Sequence, residues 1–153
     1  MDIHLFDHQT DLSLDHEAVR ELVALVIQGQ GEVVDEVAIH FISPEASSTL
    51  HQRYFQDSSP TDCMSFPMDG PNDRPRVLGE IFVCPRIALE YVQNGGSLPP
   101  EEEVALYIIH GLLHLFGYDD IEDADVVHMR AGEDLHLNRW RLTGHSVVAR
   151  AAP

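Results

Sequence analysis

Cysteine is scarce in this chain, which has two in 153 residues, Cys63 and Cys84, and no CxxC pair. That excludes a disulfide framework and a thiolate zinc knuckle, and it suits a reducing, cytoplasmic setting. Basic residues are scarce too, nine Lys and Arg against 26 Asp and Glu, for a formal charge of −17. So acidic a surface does not adhere broadly to nucleic acid or anionic membrane, and a polyanionic substrate needs a local positive site. A bound dication, or arginines such as Arg53, Arg74, Arg76, Arg86, Arg130, Arg139 and Arg141, would have to supply it. No apolar run approaches the ~20 residues of a membrane span. The start, Met1 and Asp2, lacks the basic region of a signal peptide. Internal repeats and low-complexity segments are absent, and the length fits one domain that buries roughly two-thirds of its unfolded surface.

What is present is an interleaving of strand and helix patterns. Ile3 and Leu5 alternate with polar neighbours in a strand over Asp2 to Phe6, and Val19, Leu22, Val23, Val26 and Ile27 mark a helix over Asp15 to Gln28. Asp15 is its N-cap and Gly29 or Gly31 its stop. Val37 to Ile42 is a second strand, and Ser43 with Pro44 caps a helix running to about Phe55. A polar loop, Gln56 to Pro60, precedes strands at Thr61 to Pro67 and Val77 to Cys84, which a Pro/Gly/Asp-rich hairpin loop joins. Pro85 opens a short helix ending near Asn94. Pro99, Pro100 and Glu101 to Glu103 then start a helix that is apolar nearly all round from Val104 to Phe116, the mark of a buried central helix. Glu122 to about Asn138 forms the last helix, with Val127, Ala131 and Leu135 on one face. The expected fold is α+β, a single compact domain with a small mixed four-stranded sheet covered by about five helices.

The chemistry concentrates in HGLLHLFGYDD, His110 to Asp120. Residues at i and i+4 project from one face of a helix about 6 Å apart along the axis, so His110 and His114 can converge on one ion. Each buried neutral imidazole needs partners for both nitrogens, and a shared cation satisfies two rings at once. Gly117 lets the chain turn back so that Asp119 or Asp120 can add a carboxylate. Imidazole with carboxylate suits zinc and tolerates other first-row dications. His128 is the alternative third ligand if the last helix packs over the site, and His136 is expected in solvent. A zincin-like helix in a protease reads HExxH, and here the glutamate that would act as base is Gly111. A glycine there implies close approach of a substrate or another backbone element.

The same stretch resembles the hallmark of the bacterial YbeY endoribonucleases, HGxLHLxGYDH, and every fixed position from His110 to Asp119 is present. Ser58 to Pro67, SSPTDCMSFP, is similar to that family's PTDVLSFP block, and Leu78 to Pro85, LGEIFVCP, to its LGDI strand. Met129 and Glu133 match a Met and a Glu of its final helix. The similarity spans about residues 35 to 137. It implies a metal-dependent hydrolase domain over 1–140 with a C-terminal tail over 141–153. The implied activity is a zinc-dependent, single-strand-specific endoribonuclease of ribosomal RNA maturation and ribosome quality control. One zinc ion, His110 and His114 as its ligands, and the small ribosomal subunit and its assembly proteins as partners follow from the same resemblance.

Two departures stand out. The family's third ligand is a histidine where this chain has Asp120, which is the expected third ligand here. An arginine proposed to meet the scissile phosphate follows the family's tyrosine; Tyr54 matches, but the next residue is Phe55, leaving Arg53 as a substitute candidate. These losses make a catalytically weak or inactive, metal-stabilised ribosome-assembly factor the alternative reading.

Overall fold

The structure is a computed structural model whose described residues are 1–149. Strands β1 (Asp2–Asp7), β2 (Glu36–Phe41), β3 (Cys63–Pro67) and β4 (Val77–Val83) and helices α1 (His16–Gln30), α2 (Pro44–Phe55), α3 (Pro85–Gln93), α4 (Pro100–Leu115) and α5 (Asp123–Thr143) follow the expected order. The sheet runs β1-β2-β4-β3, with β1, β2 and β4 parallel and β3 antiparallel to β4. This is the mixed four-stranded sheet with five helices that the patterning implies.

Local chemistry sets the boundaries. The Asp15 carboxylate accepts from the Ala18 amide, and Gly31, at φ 70°, ends α1 in a left-handed turn. Ser43 caps α2 in the same way, with Pro44 at the first helical position. Along β2, Val37, Ile39 and Phe41 are fully buried while their neighbours are not, so one sheet face meets the helices. The other face carries a run of rings across the strands: Phe6 stacks on His40, His40 on Phe82, and Phe66 meets Phe82 edge-on.

Helix α4 lies between the sheet and α5. Val104, Ile108, Ile109, Leu112 and Leu113 are all inaccessible to solvent, as a centrally buried helix requires. Gly111 is the point of closest approach: a Cβ there would sit 2.7 Å from Cys63 Sγ and 3.1 Å from an Ile81 methyl. The glycine therefore admits side chains of the sheet, rather than a substrate or another backbone element. The Ser65 hydroxyl also donates to the Gly111 carbonyl, tying β3 to the helix.

The last helix corrects the sequence reading. It runs to Thr143, five residues past the expected end, and Val127, Ala131 and Leu135 face solvent, with Val127 70% exposed. Its buried face is Met129, Gly132, Glu133, His136, Leu137 and Trp140. His136, expected in solvent, is fully buried; its Nε2 donates to Gln30 Oε1, and among the described residues its Nδ1 has no partner. Of the segment expected as a tail, 141–143 continue α5, Val147 is buried, and Val148 bridges to Leu14; residues 150–153 lie outside the described residues. Arg76 is likewise no free positive charge. It is buried, and its guanidinium donates to Glu32 and to the Val33 carbonyl.

Candidate metal centre

The two histidines of α4 meet as their spacing requires: His110 Nε2 and His114 Nε2 are 3.0 Å apart. Beyond Leu115 the chain turns through Phe116 and Gly117, the latter at φ 96°, and the Tyr118 amide donates to the Leu113 carbonyl. That reversal brings Asp120 back over the helix, with Oδ2 3.5 Å from both Nε2 atoms. His110, His114 and Asp120 thus place one ligand atom each within 4.8 Å of one another. Asp119 is turned elsewhere, its Oδ1 accepting from the Asp120 amide. His128 stacks on Tyr118 with ring centroids 4.3 Å apart and is not in the cluster.

The outer nitrogens fix the tautomers. The Tyr118 carbonyl can only accept, so His114 Nδ1 carries the hydrogen of that 3.0 Å bond. His110 Nδ1 donates to Glu133 Oε2 at 2.7 Å, and Arg130 Nη1 donates to the other Glu133 oxygen. Burial pushes the Glu133 carboxyl up, but the hydrogen bonds from His110 and Arg130, with the charge of Arg130, outweigh it and hold the group below its ordinary value. It is therefore an ionised acceptor. With both Nδ1 hydrogens committed, two Nε2 lone pairs and a carboxylate oxygen face one point. Two lone pairs cannot bond each other, so this is a donor set suited to a cation. A tetrahedral site with bonds of about 2.0 to 2.1 Å separates its nitrogens by roughly 3.3 Å, close to the spacing present.

Helix α5 supports the centre from behind. Glu133 anchors His110, and Gly132 leaves room for the Tyr118 ring, which a Cβ would meet at 3.0 Å. The Tyr118 hydroxyl also accepts from Gln30, linking the ligand loop to the end of α1. Sequence reasoning places Glu133 in a matching block without a role. The i,i+3 pair of Arg130 and Glu133 was the available signal for it.

A cleft of about 350 Å³ opens beside the two histidines, lined by His51 and Phe55 of α2 and by Cys63, Met64 and Ser65 of β3. Arg53 is not among its walls. His51 and Phe55 are one helical turn apart, and Arg53, midway between them, projects to the far side, where its guanidinium lies 5.6 Å over the Tyr54 ring. The structure therefore does not bring Arg53 to the cluster. On the other side of His110 lies a recess of about 510 Å³ lined by Asp62, Glu103, Tyr107, Asp120, Arg130 and Glu133. Burial raises the Glu103 carboxyl and the Tyr107 hydroxyl above their ordinary values.

The comparisons with known proteins agree in direction. The family model described as endoribonuclease YbeY matches residues 4–141. A relative from Protochlamydia amoebophila, named endoribonuclease YbeY, is 44% identical over 140 residues, 91% of this chain and 93% of its own. One of the same name from Chlamydia trachomatis serovar D is 35% identical over 152 residues, covering 98% and 93%. A Thermotoga maritima protein solved in solution superposes with a TM-score of 0.62 at 25% identity, covering 93% of each chain.

Proposed function

The chain belongs to the endoribonuclease YbeY family, and from that premise we propose that it is a zinc-dependent endoribonuclease that cuts single-stranded RNA during ribosomal RNA maturation and ribosome quality control. The observation that carries the metal part is the pair of Nε2 atoms 3.0 Å apart with both Nδ1 hydrogens committed. His110, His114 and Asp120 would hold the ion, which when bound supplies Lewis acidity and positive charge beside the reacting phosphate. Zinc is favoured by a set of two imidazoles and a carboxylate. Ribosomal RNA precursor, the small ribosomal subunit and its assembly proteins are the proposed partners, and the cytoplasm the proposed location. Both cysteines are free thiols, and among the described residues no helix is long and apolar enough to cross a membrane.

The protein's own groups have defined tasks in this reading. Glu133 and the Tyr118 carbonyl hold the two rings so that their lone pairs converge, work that would otherwise cost ordering entropy at each binding event. Asp120 brings negative charge where the family has an imidazole, so the centre is less electron-withdrawing than one with three neutral rings. Asp120→His should accordingly raise activity at neutral pH. At a net charge of −17 the chain repels RNA at long range, so phosphate must be captured by charge concentrated at the centre.

The test is metal content and RNA cleavage, measured together. Wild type should carry one zinc and cut single-stranded but not duplex RNA, and His114→Ala should lose both ion and cleavage. Full zinc occupancy with no cleavage from about pH 6 to 9, where imidazole and zinc-bound groups titrate, would sink the nuclease reading. It would favour the metal-stabilised assembly factor.

A further inference from the structure

The cleft beside the histidine pair is also lined by an imidazole that the ligand set does not use. His51 Nδ1 lies 2.8 Å from the Ser59 carbonyl, an obligate acceptor, so Nδ1 carries the hydrogen and Nε2 a lone pair. Among the described residues no donor meets that Nε2. The ring is largely buried, with 18% of the side chain exposed, and it lines the same cleft as His110 and His114. The Phe55 ring, one turn on, packs against it at a centroid distance of 5.4 Å and limits its rotation. Behind the ring, Asp57 Oδ1 lies 4.0 Å from Nδ1.

We propose that His51 is a catalytic proton-transfer residue: its Nε2 takes the proton of the water that attacks phosphorus, while Nδ1 stays bonded to the Ser59 carbonyl. This rests on the reading above that the cleft receives RNA. In the step, the water oxygen forms a bond to phosphorus as its proton passes to Nε2, and the bond from phosphorus to the leaving nucleoside oxygen breaks. That oxygen takes a proton from solvent, and the His51 imidazolium returns its own to solvent, so the ring is regenerated. Imidazole suits the task because it exchanges protons near neutral pH.

The surroundings fit a ring that charges transiently. The Asp57 carboxyl is held below its ordinary value, first by the Ser59 hydroxyl and then by the Ser59 amide, both donating to Oδ1. It therefore remains ionised and attracts the imidazolium from the Nδ1 side. The other titratable groups facing the cleft are His110 and His114 with Asp120 beside them, and Cys63. Burial pushes the Cys63 thiol up, so it stays neutral and offers no rival base.

His51→Asn separates proton transfer from structure, because the asparagine amide can keep the bond to the Ser59 carbonyl while no acceptor stands in for Nε2. We expect kcat on single-stranded RNA to fall about 10²- to 10³-fold, KM to stay within a few-fold, and the acid limb of the kcat pH profile to disappear. Added imidazole should partly restore His51→Ala. A His51→Asn enzyme with wild-type kcat and an unchanged profile overturns the proposal.

A readout independent of turnover comes from ring-nitrogen NMR of metal-free wild type. His51 should show the Nδ1-protonated tautomer and an Nε2 resonance that moves when single-stranded 2′-O-methyl RNA is added. An Nε2-protonated ring, or one unmoved by that RNA, overturns the proposal even if the enzyme cleaves RNA. A wild type that cleaves nothing sinks the nuclease reading instead, and the spectra then judge His51 alone.

Discussion

The two walls of the cleft are built on opposite plans. The α4 wall is core: Gly111 is pressed against the sheet, and His110 and His114 are held at their outer nitrogens by Glu133 of α5 and by the Tyr118 carbonyl of the returning loop. The α2 wall stands on one buried residue, Ser47, whose hydroxyl exchanges hydrogen bonds with the Thr61 backbone, and it leaves Tyr54 and Phe55 each 51% exposed. Changes on the first wall should therefore disturb metal binding and stability together. Changes on the second should alter turnover or substrate affinity and leave the fold intact.

The sharpest way to break that contrast is Glu133→Ala. Removing the carboxylate frees His110 Nδ1 and lets the ring turn, so metal affinity should fall about 10- to 100-fold, read by competition with a chelating dye. Asp57→Ala, the corresponding change behind His51, should leave metal affinity unaltered. An equal loss in both variants would erase the distinction. The Glu133 carboxyl sits below its ordinary value of 4.5 when folded. Its contribution is thus present above pH 4.5 and is lost as pH falls through the lowered value.

Gly111→Ala comes next. The added methyl meets Cys63 Sγ at 2.7 Å, and overpacking of this kind costs about 1 to 3 kcal/mol, set against about 1 kcal/mol gained by replacing glycine within a helix. Urea denaturation should show a net loss. Adding Cys63→Ala should recover much of it, since the sulfur is the nearest obstacle; no recovery would mean that the helix is displaced for another reason.

His136 tests the α5 support that stands behind the same wall. Burial, and then the charge of Arg139, lower its pKa below the ordinary 6.5. The folded state holds the ring neutral, so the stability it contributes is complete above pH 6.5 and declines as pH falls below that value. The slope from this one group cannot exceed about 1.4 kcal/mol per pH unit. Denaturation midpoints of wild type and His136→Asn, followed from pH 8 to 5.5 at constant salt, should diverge in slope below pH 6.5. Parallel curves would show that His136 takes up its proton equally in both states.

These cases also show what the sequence could and could not disclose. Helix α4 was legible because it is apolar on nearly every side, and Gly117 marked the turn that returns Asp120 to the histidines. The buried face of helix α5 is not legible in the sequence, because it carries Glu133 and His136 while Val127 and Leu135 point outward. A hydrophobic period cannot find a face that is buried in order to hold a ligand in place. His51 is illegible in the sequence for the related reason that its surroundings, the Ser59 carbonyl and the histidine pair lining the same cleft, come from a loop crossing and from residues about 60 positions away.

The smallest expected effect belongs to Arg53. It is exposed, lies over Tyr54 and is absent from the cleft lining, so Arg53→Ala should change kcat/KM on single-stranded RNA by less than about two-fold and stability by less than about 0.5 kcal/mol. Phe55→Ala, two residues on and facing the cleft, opens the cleft and releases the His51 ring, and it should affect turnover more. If Arg53→Ala instead costs ten-fold or more, α2 must rotate when RNA binds, bringing the arginine round to the phosphate. The α2 wall would then be a moving part, and the contrast with the fixed α4 wall would become one of motion as well as burial.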